Sequence, residues 1–204
     1  MDIFSSLQHA DEYLFKLING RLSVPWLDGF MLLMRNPLTW IPVYVMLAYW
    51  FYKKGYQFFF LVLFMSLLCF GLTDFISSGI LKPLIGRTRP CYETGLDVHA
   101  LLGCGGKYGM PSSHASNHFG LAILWFSIVS YKFNKKWYWV WAWAFIVCYA
   151  QVYVGKHYPG DVFVGMVLGL IIGFISSRLF RSLERYVENR KKNISLRTDK
   201  SIEK

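Results

Sequence analysis

Three short polar motifs stand out in this otherwise apolar chain, and each lies at the edge of a long apolar run. The first holds Lys82 and Arg89, the second is Pro-Ser-Ser-His at 111–114, and the third holds His157 and Asp161 around a Pro-Gly pair. Arginine offers a planar fork that matches phosphate oxygens, and lysine adds a point charge. Histidines can serve as nucleophile, acid or base. Together these residue types indicate a site for a phosphate ester.

The third motif has the spacing of a nucleophile and the group that orients it. A carboxylate bonded to one nitrogen of the His157 imidazole would fix its tautomer and leave the other nitrogen free to attack. A second histidine, His114, could protonate the leaving oxygen. His118 follows four residues later, so a metal pair is conceivable, but a catalytic metal usually has three protein ligands. We therefore expect phosphoryl transfer to histidine with no metal and no cofactor.

The other two motifs also have plainer explanations. Lys82 and Arg89 could be interfacial cations whose apolar stems lie along the membrane. Ser112 and Ser113 precede an apolar run, so either could cap a helix, although the free N–H groups of a helix start also bind anions. The functional interpretation depends on the three motifs occurring together.

Composition predicts a membrane protein. Of the 204 residues, 54% are hydrophobic and 19% aromatic, with a mean hydropathy of +0.33, which is far too apolar for an ordinary soluble domain. We expect an all-α, multi-pass membrane helical bundle of about five transmembrane helices. The expected spans are residues 39–52, 57–81, 115–131, 137–153 and 162–180.

The chain divides into three predicted regions. Residues 1–24 have helical apolar spacing with a polar opposite face, which indicates an amphipathic helix, either on the membrane surface or packed on the core of the protein. The segment lacks the basic start and apolar core of a secretory signal. Residues 25–180 form the membrane domain, and residues 181–204 form a basic cytoplasmic tail.

Charge predicts the orientation. With five spans, 14 of the 22 Lys and Arg residues fall in two turns and the tail on one side, and positive charge favours the cytoplasmic side. The three motifs then face the periplasm or exterior of the cell inner membrane. The net charge of +10 does not form a basic face on a soluble fold, so we expect a membrane partner and no nucleic acid.

Three further features carry structural expectations. Gly165, Gly169 and Gly173 recur every four residues, so another helix can approach that face closely. Asp74 lies inside an apolar run, where an acid either serves the site or bonds another helix. The two cysteines of the polar loop, at 91 and 104, could be a disulfide or free thiols.

Taken in order, the motifs resemble those of the type 2 phosphatidic acid phosphatase family, which are KxxxxxxRP, PSGH and SRxxxxxHxxxD. The resemblance covers about residues 57–180, and the first motif matches fully at Lys82, Arg89 and Pro90. In the second, Ser113 replaces the family glycine. In the third, Ala150-Gln151 stands where the family has Ser-Arg.

This resemblance implies a role for each matched residue. His157 would become phosphohistidine, Asp161 would orient it, and His114 would be the general acid. The implied phosphate-binding residues are Lys82, Arg89, Ser112 and Ser113. Gln151 brings no charge, so either Arg87 or Lys156 substitutes for the family arginine or the site binds phosphate less tightly.

The predicted function is a membrane phosphatase that removes phosphate from a lipid phosphate or diphosphate at the outer face. Within the resemblance, undecaprenyl diphosphate is the first choice of substrate, beside phosphatidylglycerol phosphate, phosphatidic acid and a lipid A phosphate. Two alternatives remain open: a non-catalytic lipid-phosphate binder or transporter, and a phosphatase for soluble esters. The sequence does not predict an oligomeric state.

Overall fold

The computed structural model describes the backbone of residues 3–202 and the side chains of residues 5–194. Residues 1–2 and 203–204, the ends of the predicted N-terminal helix and tail, lie outside the described residues. The described chain is all-α, with one isolated bridge between Thr88 and Tyr108 and no strand. Its helices are α1 (Ile3–Phe15), α2 (Pro25–Arg35), α3 (Ile41–Lys53), α4 (Tyr56–Asp74), α5 (Lys82–Ile85), α6 (Ser113–Phe133), α7 (Trp139–Tyr153) and α8 (Pro159–Ile202).

Short π and 3₁₀ segments extend or join these helices. A π segment, Phe75–Leu81, makes α4 and α5 one continuous helical stretch that ends at Ile85. A 3₁₀ turn, Pro37–Trp40, joins α2 to α3. Proline cannot donate to the preceding turn and pushes the residue before it out of helical geometry. Asn36 is accordingly extended, and the chain bends by 69° between α2 and α3.

The helices form a multi-pass membrane bundle, as predicted. Two stretches are long and apolar enough to cross a bilayer, Tyr56–Ile85 and Pro159–Ile194, and the bent pair of α2 and α3 would make a third. α7 is apolar but shorter. Each of the five predicted spans falls on a helix of the structure, although length and apolarity alone select at most three spans among the described helices.

α6 lies at the centre of the bundle and contacts α4, α7 and α8. The glycine face of α8 makes the tightest of these contacts. A Cβ atom at Gly165, Gly169 or Gly173 would collide with a backbone carbonyl group at the start or first turns of α6. The predicted close approach is therefore confirmed, and it fixes the second motif, at the start of α6, against the third motif, at the start of α8.

α1 packs on the protein and also presents apolar side chains outward. Phe15 is buried against Tyr158, with the ring centroids 5.3 Å apart. Asp11 Oδ1 accepts a hydrogen bond of 2.7 Å from the backbone N–H of Gly160. Leu7 is nevertheless 63% exposed, as expected for a helix that also lies on a membrane surface.

Asp74 bonds a neighbouring helix. Its Oδ1 accepts a hydrogen bond of 3.3 Å from Asn117 Nδ2 on α6, and Asn117 Oδ1 accepts one of 2.7 Å from Thr73 Oγ1. Of the two predicted roles, this geometry favours interhelical bonding between α4 and α6.

The polar loop before α6 is closed by a disulfide between Cys91 and Cys104. The other two cysteines, Cys69 and Cys148, are buried and free. We expect thiol titration of the denatured, unreduced protein to find two free thiols rather than four. Replacing both loop cysteines by serine should lower the melting temperature, because a closed loop of this size stabilises a fold by about 3 kcal/mol.

Candidate active site

The turn between α7 and α8 carries a buried imidazole–carboxylate pair. His157 is 2% exposed and Asp161 is fully buried. His157 Nδ1 and Asp161 Oδ2 are 3.4 Å apart, and the same oxygen accepts a hydrogen bond of 3.1 Å from the backbone N–H of Tyr158. With Nδ1–H directed at the carboxylate, the other ring nitrogen, Nε2, carries the free lone pair.

The opposite carboxylate oxygen is bonded to Arg87. Arg87 Nη1 lies 3.0 Å from Asp161 Oδ1, and Nη2 lies 2.7 Å from Asp11 Oδ2 on α1. The guanidinium also stacks 4.2 Å from the ring centroid of Tyr158. Arg87 is thus occupied by two carboxylates, so it is not placed to substitute for the family arginine at position 151.

The second motif meets the first at the start of α6. Lys82 Nζ donates to Ser113 Oγ over 2.8 Å, and Ser78 Oγ lies 2.7 Å from the same hydroxyl. The backbone N–H of Ser112 donates to the Asp161 carbonyl oxygen over 2.9 Å. Ser112 Oγ is buried with no hydrogen-bond partner among the described residues, so it does not cap the helix through its side chain.

A short antiparallel contact holds Arg89. Its backbone N–H donates to the Lys107 carbonyl oxygen over 3.1 Å, and its Nε donates to the Tyr108 carbonyl oxygen over the same distance. Burial lowers the pKa of Arg89, and the nearby Asp161 carboxylate partly opposes this shift. The terminal guanidinium nitrogens make no ion pair within the described part of the chain.

The two histidines of α6 stack on one face of the helix. The rings of His114 and His118 are nearly parallel, with centroids 6.2 Å apart, and His118 Nδ1 donates to the His114 carbonyl oxygen over 2.8 Å. His118 also packs 4.7 Å from Trp143. No group of three or more potential metal ligands occurs among the residues that the structure describes.

Burial lowers the pKa of His157 to about 4. Asp161 opposes this shift, whereas the positive charges of Arg89 and Lys82 add to it. The lowered pKa keeps the imidazole neutral at neutral pH, which is the protonation state that a nucleophile needs. The contributions of Arg89 and Lys82 to this shift show that both cations of the first motif lie within electrostatic range of the ring.

The lowered pKa predicts a pH dependence of stability. Between pH 6.5 and about 4, the unfolded state binds a proton at residue 157 that the folded state does not, so stability falls as the pH is lowered through this window. We expect the melting temperature in detergent to drop less between pH 7 and 4.5 for His157→Asn than for the wild type. Equal drops would contradict the assigned environment of this ring.

Gln151 is the departure from the family motifs that removes a charge from the site. It is 1% exposed, and neither its Nε2 nor its Oε1 has a hydrogen-bond partner among the described residues. Buried polar groups are nearly always hydrogen-bonded. The two unpaired amide atoms of Gln151 therefore indicate a position that contacts a polar ligand.

Sequence patterns missed Asp11. It reaches Arg87 and Gly160 from α1, and its separation of 149 residues from Gly160 left no local signal. The structure does bring the three predicted motifs together: Lys82 bonds Ser113, and the backbone of Ser112 bonds that of Asp161, beside the buried His157 imidazole. Such an arrangement can hold a tetrahedral oxyanion against a neutral nucleophile.

Comparison with known proteins gives a consistent result. The family model described as the PAP2 superfamily matches residues 59–185. Two curated relatives named lipid A 4'-phosphatase are similar to the chain. The protein of Porphyromonas gingivalis is 33% identical over 84% of this chain and 73% of its own length. That of Bacteroides thetaiotaomicron is 32% identical over 83% and 76%.

Two solved structures share the fold. The PAP2 type phosphatidylglycerolphosphate phosphatase of Bacillus subtilis superposes with a TM-score of 0.70 at 23% identity and covers 89% of both chains. Aquifex aeolicus LpxE superposes with a TM-score of 0.54 at 24% identity, over 81% of this chain and 93% of that one.

Proposed function

Because the chain belongs to the PAP2 superfamily and is a membrane-embedded lipid phosphatase, we propose that it forms a phosphohistidine at His157 and acts on a lipid at the outer face of the membrane. The observation that carries this proposal is the convergence of three sequence motifs on one buried imidazole. Lys82, Ser113 and Asp161 come from different helices, yet direct hydrogen bonds link the first motif to the second and the second to the third.

In the first step, Lys82, Arg89, Ser112 and Ser113 hold the phosphate oxygens. The hydroxyl of Ser112 supports this assignment, since it is a buried donor that has no partner among the residues that the structure describes. His157 Nε2 attacks phosphorus while the bond from phosphorus to the lipid oxygen breaks. His114 donates a proton to that leaving oxygen, and Asp161 stabilises the positive charge that develops on the His157 ring.

In the second step, water attacks the phosphohistidine. His114, now neutral, accepts a proton from this water. The bond between phosphorus and nitrogen breaks, which returns His157 to its neutral form and releases inorganic phosphate. Protonation states and bonds are then as at the start, so the cycle closes with no further reactant.

The substrate proposed is a phosphate monoester on a lipid A-type glycolipid. The two curated relatives are both named for this activity, and each matches more than four fifths of the chain. An apolar groove of about 470 Å³ supports a lipid. It lies between α3, α4 and α6, and its lining includes His118, one helical turn from His114.

The proposed orientation places the three motifs at the periplasmic or outer face and the end of α8 in the cytoplasm. Its support is the asymmetry of Lys and Arg between the two sides. The disulfide of the loop between α5 and α6 is consistent with an oxidising compartment.

The test is phosphate release in detergent from four substrates: a lipid A phosphate, undecaprenyl diphosphate, phosphatidylglycerol phosphate and a water-soluble sugar phosphate. We expect the lipid A phosphate to be hydrolysed with the highest kcat/KM, and a chelator to leave the rate unchanged. Preference for another lipid would overturn the substrate assignment alone. Loss of activity with chelator would contradict a metal-free reaction, and no release from any lipid would favour a non-catalytic binder.

A further inference from the structure

α2 carries an arginine that lies outside all three motifs. Arg35 is the last residue of this helix and is partly buried. Within the described part of the chain its Nε is buried without a hydrogen-bond partner, and its guanidinium forms no ion pair with a carboxylate. Arginine is seldom buried unless it is paired, so this position requires an explanation.

The helix face that carries Arg35 packs on α7. Asp28 Oδ1 accepts a hydrogen bond of 2.7 Å from the Tyr153 hydroxyl, and Met31 is buried against Ala150 and Tyr153. Residues three and four apart share one helix face, so Arg35 continues the face that begins at Asp28 and Met31. That face therefore meets α7 around Ala150, which precedes Gln151 in the chain.

A second line of contacts leads from α2 to the histidines of α6. The Met34 carbonyl oxygen accepts a hydrogen bond of 2.8 Å from Trp40 Nε1. The ring of Trp40 packs on Trp143, and Trp143 packs on His118. Two tryptophan rings, Trp40 and Trp143, thus link the end of α2 to His118, which stacks on His114.

The charge of Arg35 acts on other ionisable groups of the site. Burial lowers the pKa of Lys156, and repulsion by Arg35 and then Arg89 lowers it further. Arg35 also interacts electrostatically with Arg89 and with the His114 ring. Several cations therefore lie close together, and the nearby Asp161 carboxylate is already bonded to Arg87. This leaves the excess of positive charge that is expected of an anion site.

Arg87 and Lys156, the two residues that could replace the family arginine according to the sequence, are both bonded to other groups. Arg87 is bonded to Asp11 and Asp161. Lys156, only 7% exposed, donates to the Gly103 carbonyl oxygen. Arg35 has the planar fork that can donate two hydrogen bonds to a phosphate, and its Nε is unpaired among the described residues.

We infer that Arg35 is a further phosphate-binding residue, supplying from α2 the guanidinium that the family motif supplies from α7 at the position of Gln151. This inference rests on the proposed phosphatase function. Arg35 belongs to a different helix, so in this chain the same chemical group reaches the anion from α2 rather than from α7.

The test compares the full-length variants Arg35→Gln, Arg35→Lys, Gln151→Arg and the double variant Arg35→Gln/Gln151→Arg, with Arg185→Gln on the exposed end of α8 as the matched control. For Arg35→Gln we expect kcat/KM to fall about 10- to 100-fold and the inhibition constant of orthovanadate to rise by a similar factor, the usual value of a charge-assisted hydrogen bond. Arg35→Lys should show a smaller loss, because it keeps the charge and loses the fork.

Gln151→Arg alone should leave activity intact or raise it. In the double variant it should restore most of the loss caused by Arg35→Gln, a rescue that a merely structural role for Arg35 would not produce. Unchanged kcat/KM and vanadate inhibition in a folded Arg35→Gln protein would overturn the inference, as would a double variant that remains as impaired as the single one. If Arg35→Gln does not fold, Arg35→Lys decides, and an unchanged inhibition constant would refute the assignment.

Binding of inorganic phosphate separates this inference from the proposed function. Phosphate should raise the melting temperature of the wild type more than that of Arg35→Gln, because a ligand stabilises only the protein that binds it. A wild type that releases no phosphate from any lipid but shows this difference would refute the phosphatase and retain the anion site. If the wild type is active but phosphate raises the melting temperatures of the wild type and Arg35→Gln equally, the phosphatase is retained and the role of Arg35 in anion binding is refuted.

Discussion

Replacing His157 by asparagine is expected to reduce phosphate release by roughly 10⁴-fold or more, the scale on which enzymes lose activity when a covalent nucleophile is removed. Asparagine can still donate a hydrogen bond to Asp161, so the buried carboxylate keeps a partner and the fold should persist. The ring nitrogen that is proposed to attack phosphorus is lost, and no acid-labile phosphoenzyme should form. Rapid-quench labelling with a radioactive lipid phosphate measures both quantities.

The matched control is His99→Asn. His99 lies in the polar loop, where its Nε2 is 3.2 Å from Asp28 Oδ2, and it takes no part in the proposed reaction. This variant should keep activity within a few-fold of the wild type and should still form the phosphoenzyme. A folded His157→Asn protein with residual activity comparable to His99→Asn would refute the nucleophile.

The second large effect is expected at His114. Proton transfer by a positioned side chain contributes about 10²- to 10⁴-fold, so His114→Asn should lower kcat by a factor in this range with a natural lipid alcohol as the leaving group. A nitrophenyl phosphate ester needs no proton on departure, so its first step should be nearly unaffected. The second step still needs a base, and the variant should therefore show a burst of about one nitrophenol per enzyme followed by slow turnover.

His118→Asn is the control for this experiment, because His118 lies one turn further along the same helix, with its ring against Trp143. It should change kcat by a few-fold at most and should show no enhanced burst. An equally slow first step with both leaving groups in His114→Asn would exclude a role in proton transfer and point to a defect in phosphate binding.

The sequence predicts the motifs because each is a local pattern. Lys82 and Arg89 are seven residues apart, and His157 and Asp161 are four apart. Asp11 and Arg35, in contrast, contribute from helices far away in the chain. The resemblance to a family fixes the order of the motifs and hence the fold class. It does not predict a residue such as Arg35, because the family places that guanidinium elsewhere.

Helix packing was predictable where it leaves a repeating pattern. The repeated glycines of α8 predict a close helix contact. Asn36-Pro37 predicts the break between α2 and α3. The role of Asp74 was not predictable, because an acid in an apolar run serves a site or a neighbouring helix with the same sequence signal. Only the position of Asn117 opposite Asp74 separates the two.

The backbone contact between α6 and α8 limits how a lipid can reach the phosphate site. Main chains in van der Waals contact have no compressible side-chain layer between them, so neither helix can slide or tilt without losing that contact. His114 on α6 and Asp161 on α8 therefore keep a fixed position relative to each other. The apolar groove that α3 and α4 form against α6 is therefore the expected route from the bilayer, because α6 and α8 cannot separate to open one.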